Sequence, residues 1–220
     1  MDLMMFVLLG LILATCTSAV PRNHRNENLV LYENPPPKCC TPYQWHANIT
    51  QVQVFEFRHR HPTEQKTIIG GHMWFDGKDE KTALRINVLN GGPQVITIIQ
   101  DFKANKRYGI NNEKKTCNVM PTVYPKPERC IPDDAEFLGE EILGKSLKVN
   151  SWKASFKGKT YQVGKLFTMT DTCIPVTSIM AGELSSSQLE CGILMTTTTS
   201  NFIEGIKDFS IFDIPDYCNK

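Results

Sequence analysis

The sequence predicts a mostly β protein built from antiparallel strands. Apolar residues recur at every second position in short runs, which is typical of half-buried strands. Turn residues separate these runs, as strands joined by tight turns require. The helical signal is thin, since Asp133 to Leu143 is the only acidic and apolar stretch long enough and Gly139 interrupts it. We therefore expect antiparallel sheet and little helix.

Runs with this period locate the individual strands from Tyr43 onward. They are rich in β-branched and aromatic residues, which favour a pleated surface. The predicted strands are Val52 to Phe57, Gly71 to Phe75, Leu84 to Val88, Val95 to Ile99, Leu147 to Trp152, Thr160 to Thr170 and Gly192 to Thr199. The predicted turns are Asp76-Gly77, Asn90-Gly91-Gly92-Pro93, Lys157-Gly158-Lys159 and Ala181-Gly182.

A proline-rich stretch from Val119 to Asp134 interrupts the series of strands. Proline lacks the backbone N–H that a sheet uses and fixes its own backbone angle. The sequence therefore predicts a long irregular excursion here, pinned by Cys130.

The first residues predict entry into the secretory pathway. An apolar run from Leu3 to Cys16 precedes the small residues Thr17 and Ala19, a pattern typical of a cleaved signal peptide over residues 1–19. The run is shorter than the roughly 20 residues that a membrane-spanning helix needs. We expect a secreted protein without a transmembrane anchor, and the lysosomal lumen is the alternative destination.

The mature chain is expected to form one domain. Residues 20–38 are polar and end in Pro35-Pro36-Pro37, so they predict a flexible arm. Residues 39–220 suffice for one sizeable core, and no long polar spacer divides them. The formal net charge is +1, so no overall field would attract nucleic acid.

Cysteines are spread along the whole mature chain. Their spacing suits disulfides that close long loops in an oxidising compartment. They are Cys39, Cys40, Cys117, Cys130, Cys173, Cys191 and Cys218. The odd number leaves one thiol that is free or reaches another subunit. The adjacent pair is expected to take different partners, or one of the two stays free, because a bond between neighbours closes a strained ring.

No enzyme motif is present in the sequence. The nucleophile elbow, the zinc-protease helix, the phosphate-binding loop and the dinucleotide fingerprint are all missing, so catalysis is not expected. His59 and His61 would share one face of a strand and could pair on a metal. Arg58 and Arg60 flank them, and a solvated basic edge is the better interpretation.

Two polar features remain as candidate sites. Asn48-Ile49-Thr50 is a glycosylation sequon, so Asn48 is predicted to carry a glycan. Asp133, Asp134 and Glu136 offer the oxygen ligands that calcium takes, but without the spacing of a calcium loop. A solvated acidic face is the simpler interpretation, and calcium is the one cofactor considered.

Several motifs resemble those of the ependymin family. They are IPDDAEFLGEE at Ile131 to Glu141, KVNSW at Lys148 to Trp152, TDTCIPV at Thr170 to Val176 and GIKDFSIFDIPDYC at Gly205 to Cys218. The stretch from Cys40 to Trp45 and KTCNVM at Lys115 to Met120 extend the resemblance over nearly the whole mature chain.

The resemblance implies two stacked antiparallel sheets, similar to periplasmic lipoprotein carriers and curved around an apolar cleft, and it implies homodimers. It also implies two disulfides. One joins Cys173 to Cys39 or Cys40, with Cys40 preferred, and the other joins Cys117 to Cys218. A third bridge is expected, and the partners of Cys39, Cys130 and Cys191 stay open.

The favoured function is the binding of an apolar small molecule or lipid in this cleft. Sheet faces with large apolar residues could line a cleft instead of a closed core. The candidate cleft residues are Phe55, Trp74, Ile86, Val88, Ile96, Ile98, Val149 and Trp152. The alternative is a structural protein of the extracellular or calcified matrix that acts through calcium and adhesion.

Overall fold

Alternating polar and apolar residues form eleven β-strands in the described part of the protein. The structure is a computed structural model and describes residues 35–57, 63–88, 94–185 and 190–219. The strands are β1 (Gln44–Phe57), β2 (Thr63–Asp76), β3 (Lys81–Val88), β4 (Gln94–Asp101), β5 (Lys106–Asn111), β6 (Thr116–Met120), β7 (Glu136–Leu143), β8 (Leu147–Lys157), β9 (Tyr161–Met169), β10 (Pro175–Ser185) and β11 (Glu190–Glu204). Two short 3₁₀ helices follow, Phe209–Phe212 and Asp216–Asn219.

Some sequence predictions fall outside the described residues. These are the signal peptide over 1–19, most of the arm over 20–38, the pair His59 and His61, and the turn from Asn90 to Pro93. The described residues belong to one compact unit, which runs from Tyr32 to Lys220.

The strands form one antiparallel sheet in the order β6-β5-β4-β3-β2-β1-β11-β10-β9-β8-β7. It consists of two meanders, β1 to β6 and β7 to β11, joined where β1 pairs with β11. The predicted antiparallel, helix-poor fold is confirmed. The two layers implied by the family resemblance are two halves of this one sheet, because the β1–β11 ladder is hydrogen-bonded from Trp45 to Phe57.

The sheet has two faces with different coverings. We call the face that carries Trp45 and Ile49 of β1 the inner face, and the opposite one, with His46 and Asn48, the outer face. On the outer face of β3 to β5, the C-terminal segment buries Phe212 against neighbours that include Ala83, Ile99 and Ile110. A disulfide between Cys117 and Cys218 fastens this segment to β6.

One local prediction is wrong. Ala181-Gly182 is no turn but lies inside β10, because Gly182 adopts a positive φ of 152° that keeps β10 close to β9. The stretch from Asp133 to Leu143, where the helical signal was thin, contains strand β7, in agreement with the expectation of little helix. Its glycine, Gly139, has a φ of 141° next to a shift in the pairing of β7 with β8.

Replacing Gly182 by alanine should destabilise the fold. An added Cβ would lie 2.2 Å from the carbonyl oxygen of Gln162 and 2.7 Å from the Cα of Val163, both backbone atoms of β9. Relief requires the two strands to part, so Gly182→Ala should lower the free energy of unfolding by roughly 1–3 kcal/mol. Denaturant unfolding measures this loss.

Gly164→Ala is the matched control on β9. An added Cβ there first meets another atom at 3.9 Å, an ordinary contact. Its stability should stay close to that of the unmodified protein, and equal destabilisation of the two variants would contradict the steric argument.

Candidate functional site

An apolar cavity of about 320 Å³ lies on the inner face of the sheet. One half of the sheet lines it with Met73, Leu84 and Ile98, and the other half with Phe167 and Met180. Strands β3 and β4 are separated from β9 and β10 by three or more strands in the sheet order. The sheet must therefore curve until its two halves face one space.

A proline-rich segment covers this cavity. We call residues 121–135 the strap; nine of its residues, 124–132, line the cavity. Backbone bonds hold it: Thr41 N–H donates to the Arg129 carbonyl at 2.8 Å, and Ile131 N–H donates to the Cys39 carbonyl at 3.0 Å. The Arg129 guanidinium also donates to the Thr41 carbonyl at 3.0 Å. The strap is irregular and pinned at Cys130 by a disulfide to Cys40.

Charged side chains are present among the apolar lining. The cations are Arg107, Lys126, Arg129 and Lys165, and the carboxylate is Glu128. Burial lowers the pKa of Lys165, and the Glu128 carboxylate acts in the opposite direction. Burial likewise raises the pKa of the strap's Tyr124, so its hydroxyl stays neutral at physiological pH. The cavity therefore combines apolar walls with an excess of positive charge.

Three disulfides connect the described cysteines. Cys117 bonds to Cys218, the pair that the resemblance implied. Cys173 bonds to Cys39 and Cys40 bonds to Cys130, so the preferred pairing of Cys40 with Cys173 is corrected. The reason is geometric: successive residues of an extended chain point to opposite sides. Cys40 faces the strap in an isolated bridge with Cys130, which turns Cys39 toward Cys173.

The remaining described cysteine, Cys191, lies outside these bridges and is 1% exposed. It packs in a buried cluster with Val163, Met180 and Leu184. A thiol in this position is not accessible to a second subunit while the cluster is folded.

Comparison with known sequences identifies the family. Residues 90–218 match the ependymin family. The chain belongs to this family. Ependymin-related protein 1 of Haliotis asinina is 28% identical over 132 residues, which make up 56% of this chain and 64% of that relative. Ependymin-related protein 2 of the same species is 27% identical over 157 residues, 67% of this chain and 76% of the relative.

A solved structure was also compared with this ependymin-family chain. A LolA superfamily protein from Nitrosomonas europaea aligns over 78% of this chain and 90% of its own, with 8% identity and a TM-score of 0.38.

The predicted cleft residues lie in different parts of the described structure. Ile98 lines the cavity. Ile86 of β3 and Ile96 of β4 are paired neighbours on the same face as Ile98, but neither lines the cavity. Phe55 packs against the cluster around Cys191. Val88 ends β3, and its side chain lies outside the described part.

The other three candidates are corrected, because they are core or outer-face residues. Trp74 lies on the outer face, packed against the C-terminal segment. Trp152 is 2% exposed in the cluster that contains Cys173, and Val149 is fully buried. Alternation assigns residues to two faces but does not say which face holds a cavity.

Several lining residues were missed by the sequence prediction. Trp45 of β1 and Phe75 of β2 lie opposite each other in the ladder. Trp45 and Ile49 are an even number of positions apart on β1, and this spacing could have signalled a shared face. Lys165 had no such signal, because a single lysine in a strand is usually solvated.

The sequon residue Asn48 lies on the outer face, in the middle of β1. Its Oδ1 is 2.7 Å from His72 Nδ1, and His72 Nε2 is 2.9 Å from His46 Nδ1. Burial lowers the pKa of His72, and the charges of His46 and Arg85 act in the same direction. Glycosylation of Asn48 stays a prediction.

The acidic residues before β7 do not form a metal cluster in the described structure. The Lys38 ammonium donates to the Asp133 carbonyl, and Glu136 pairs with Lys153 at 3.4 Å. Across the described ranges, no three His, Cys, Asp or Glu side chains come close enough to hold a metal ion. Calcium binding at Asp133, Asp134 and Glu136 stays a prediction.

Within the ranges that the structure describes, no helix has both the length and the hydrophobicity to cross a bilayer.

Removing the Cys40–Cys130 bridge should loosen the strap. The double variant Cys40→Ser with Cys130→Ser leaves only non-covalent contacts to hold it, so exchange of the Thr41 and Ile131 amides should accelerate at least about tenfold. Hydrogen-exchange mass spectrometry of peptides from these two regions measures the change.

The control removes the bridge on the outer face, with Cys117→Ser and Cys218→Ser. This bridge spans 101 residues, so its loss should cost about 4–5 kcal/mol of global stability in the chain-entropy model. Strap amides should not be the first to exchange there. Equal protection of the strap in the first variant and the unmodified protein would contradict the pinning role.

Proposed function

We propose that this protein binds an apolar small molecule or lipid in the inner-face cavity. The observation that supports this most is the enclosure itself: two halves of one sheet and the strap surround a space of about 320 Å³. Small-molecule sites typically occupy about 300–1,000 Å³ and have mostly apolar walls with a few polar groups. This cavity matches that description.

The apolar walls leave contact surface for a ligand. Met73, Leu84, Ile98 and Phe167 line the cavity and are only half-buried. Covering apolar surface contributes about 25 cal/mol per Å². An acyl chain would therefore bind without any specific polar contact, and selectivity among chains would be weak.

Binding fits this cavity better than catalysis. Its lining, as far as the structure describes it, contains no histidine, and its cysteine, Cys130, is held in a disulfide. The described lining therefore offers neither an imidazole base nor a free thiol nucleophile. We propose a secreted binding protein that works outside the cell.

Adjacent residues of β4 offer a sharp test. Ile98 lines the cavity, whereas Ile99 is 1% exposed in the core under the C-terminal segment. Ile98→Asp should keep the fold and lower the affinity for a neutral hydrophobic dye or an alkyl alcohol by about tenfold or more. Fluorescence titration measures binding, and circular dichroism measures folding.

Ile99→Asp is the matched control, since it buries a charge in a closed core. It should lose more than about 3 kcal/mol of stability or fail to fold. A folded, unmodified protein that takes up no dye, alcohol or lipid would reject the carrier function in favour of the matrix role.

We also propose a homodimer that uses the outer face. Four exposed apolar side chains and one half-buried threonine form a row across five strands, because the pairing register aligns Leu166, Ile179, Thr196, Val52 and Ile68. Strands lie about 4.8 Å apart, so the row is about 20 Å long. No position in it is charged, and the formal net charge of the chain is only +1, so two copies would repel each other little. A second copy can match this neutral face with its own.

Charge in the middle of the row should prevent this association. Val52 is 41% exposed, so Val52→Lys should leave the fold intact and shift the protein toward monomer. Sedimentation velocity over a concentration series measures the shift. The control is Ile142→Lys at the edge strand β7, where Ile142 is 65% exposed. A monomer of the unmodified protein that persists at high micromolar concentration would contradict the proposal.

A further inference from the structure

Lys165 occupies an unusual position for a lysine. It lies on β9, where the register pairs it with Ala154 of β8 and Met180 of β10. These neighbours are 4% and 6% exposed, so the lysine emerges from an apolar part of the inner face. Its side chain lines the cavity, and its Nζ lies 5.5 Å from the centre of the Phe167 ring.

The Lys165 ammonium makes no ion pair in the part of the chain that the structure describes. Other lysines of the same protein do find carboxylates, as Lys126 of the strap does with Glu80 at 3.4 Å and Lys148 with Glu140 at 2.7 Å. A charge that is removed from water without a partner is costly. Burial lowers the pKa of Lys165 for this reason.

The rest of the lining adds to the positive character. Arg107, Lys126, Arg129 and Lys165 are four cations around the cavity, against the one carboxylate of Glu128. Lys126, Arg129 and Glu128 belong to the strap, whereas Arg107 and Lys165 project from the sheet itself. A molecule in the cavity would therefore meet a net positive potential.

We infer that the ligand is a single-chain amphiphile with one anionic head group, a carboxylate or a phosphate monoester, whose head contacts the Lys165 ammonium. Its apolar chain would lie against Leu84 and Ile98 in the other half of the sheet and against Phe102 in the turn after β4. This inference rests on the proposed ligand-binding function and adds the charge of the ligand to it.

Glu128 provides the competing explanation for Lys165. Its carboxylate is on the strap and acts on Lys165 electrostatically, so the lysine could serve only to attract the strap. In that case neutralising Glu128 would loosen the strap and leave ligand selectivity unchanged. If the lysine holds a ligand head, Glu128→Gln should instead increase the affinity for an anion, because a competing negative charge is removed.

Three ligands with the same chain test the inference: dodecanoate, dodecyl phosphate and 1-dodecanol. The unmodified protein should bind at least one of the two anions about tenfold or more tightly than the alcohol, as a charge-assisted hydrogen bond implies. Isothermal titration calorimetry gives the dissociation constants. The better of the two anions distinguishes a carboxylate source from a phosphate source.

Variants at position 165 assign the effect to its ammonium. Lys165→Met keeps the length and apolar body of the side chain, so it should bind the alcohol as before and lose the preference for the anion. Lys165→Arg should keep most of that preference. Lys153→Met on the same sheet is the matched control, because Lys153 is exposed and pairs with Glu136.

The anion preference should also depend on pH. Lys165 loses its positive charge as the pH rises through its pKa, and this pKa is lowered from the usual value of about 10.4. The preference should therefore decline at a lower pH than exposed lysines titrate. Glu128 acts on Lys165 electrostatically. The other ionisable groups of the described lining are Arg107, Tyr124, Lys126 and Arg129, and β8 and β10 contribute none.

The outcomes separate the two proposals. Equal affinities for anion and alcohol in the unmodified protein, or a preference that survives in Lys165→Met, would overturn the role of Lys165 while leaving ligand binding intact. Binding of none of the three molecules by the folded protein would instead overturn the proposed function itself.

Discussion

The pairing of β1 with β11 is the interaction on which the rest of the structure depends. These strands are distant in sequence, and their ladder joins two meanders into one sheet. Without it each meander would have one more open edge, and the two halves would not curve around a common space. The cavity, the position of the strap and the row on the outer face all follow from this one ladder.

Such a ladder carries an entropic cost, because the chain must close a loop of more than a hundred residues before its bonds form. Three disulfides offset this cost by restricting the unfolded chain, with sequence separations of 134, 90 and 101 residues. Two of them begin at Cys39 and Cys40, directly before β1. They fix the start of that strand to the β9–β10 turn and to the strap, and so favour the arrangement in which β1 meets the second meander.

The sequence predicts the local structure of this protein better than its site. Alternation locates the strand at Val95 to Ile99, and the consecutive apolar residues Ile98 and Ile99 must face opposite sides of any sheet. Alternation cannot show how each face of the sheet is covered, because the covering elements are irregular and distant in sequence. These elements are the strap and the C-terminal segment. Trp74 and Trp152 were misassigned for that reason, although both lie in predicted strands. The prediction of a turn at Ala181-Gly182 was wrong for a related reason. A glycine that is required because two strands approach closely gives the same local sequence signal as a glycine in a turn.

The two faces of the sheet are covered to different extents. On the outer face, Ala83, Ile99 and Ile110 are closed beneath a C-terminal segment that Cys117–Cys218 fastens, and this packing excludes water. A bridge of that span restricts the unfolded chain by an amount comparable to much of the net stability of a domain, about 5–15 kcal/mol. The inner face is therefore not required to form a fully packed core. It can keep half-buried walls and a lysine that makes no ion pair with the described residues. Both features cost stability, and the amphiphile that we propose as ligand would give both of them partners.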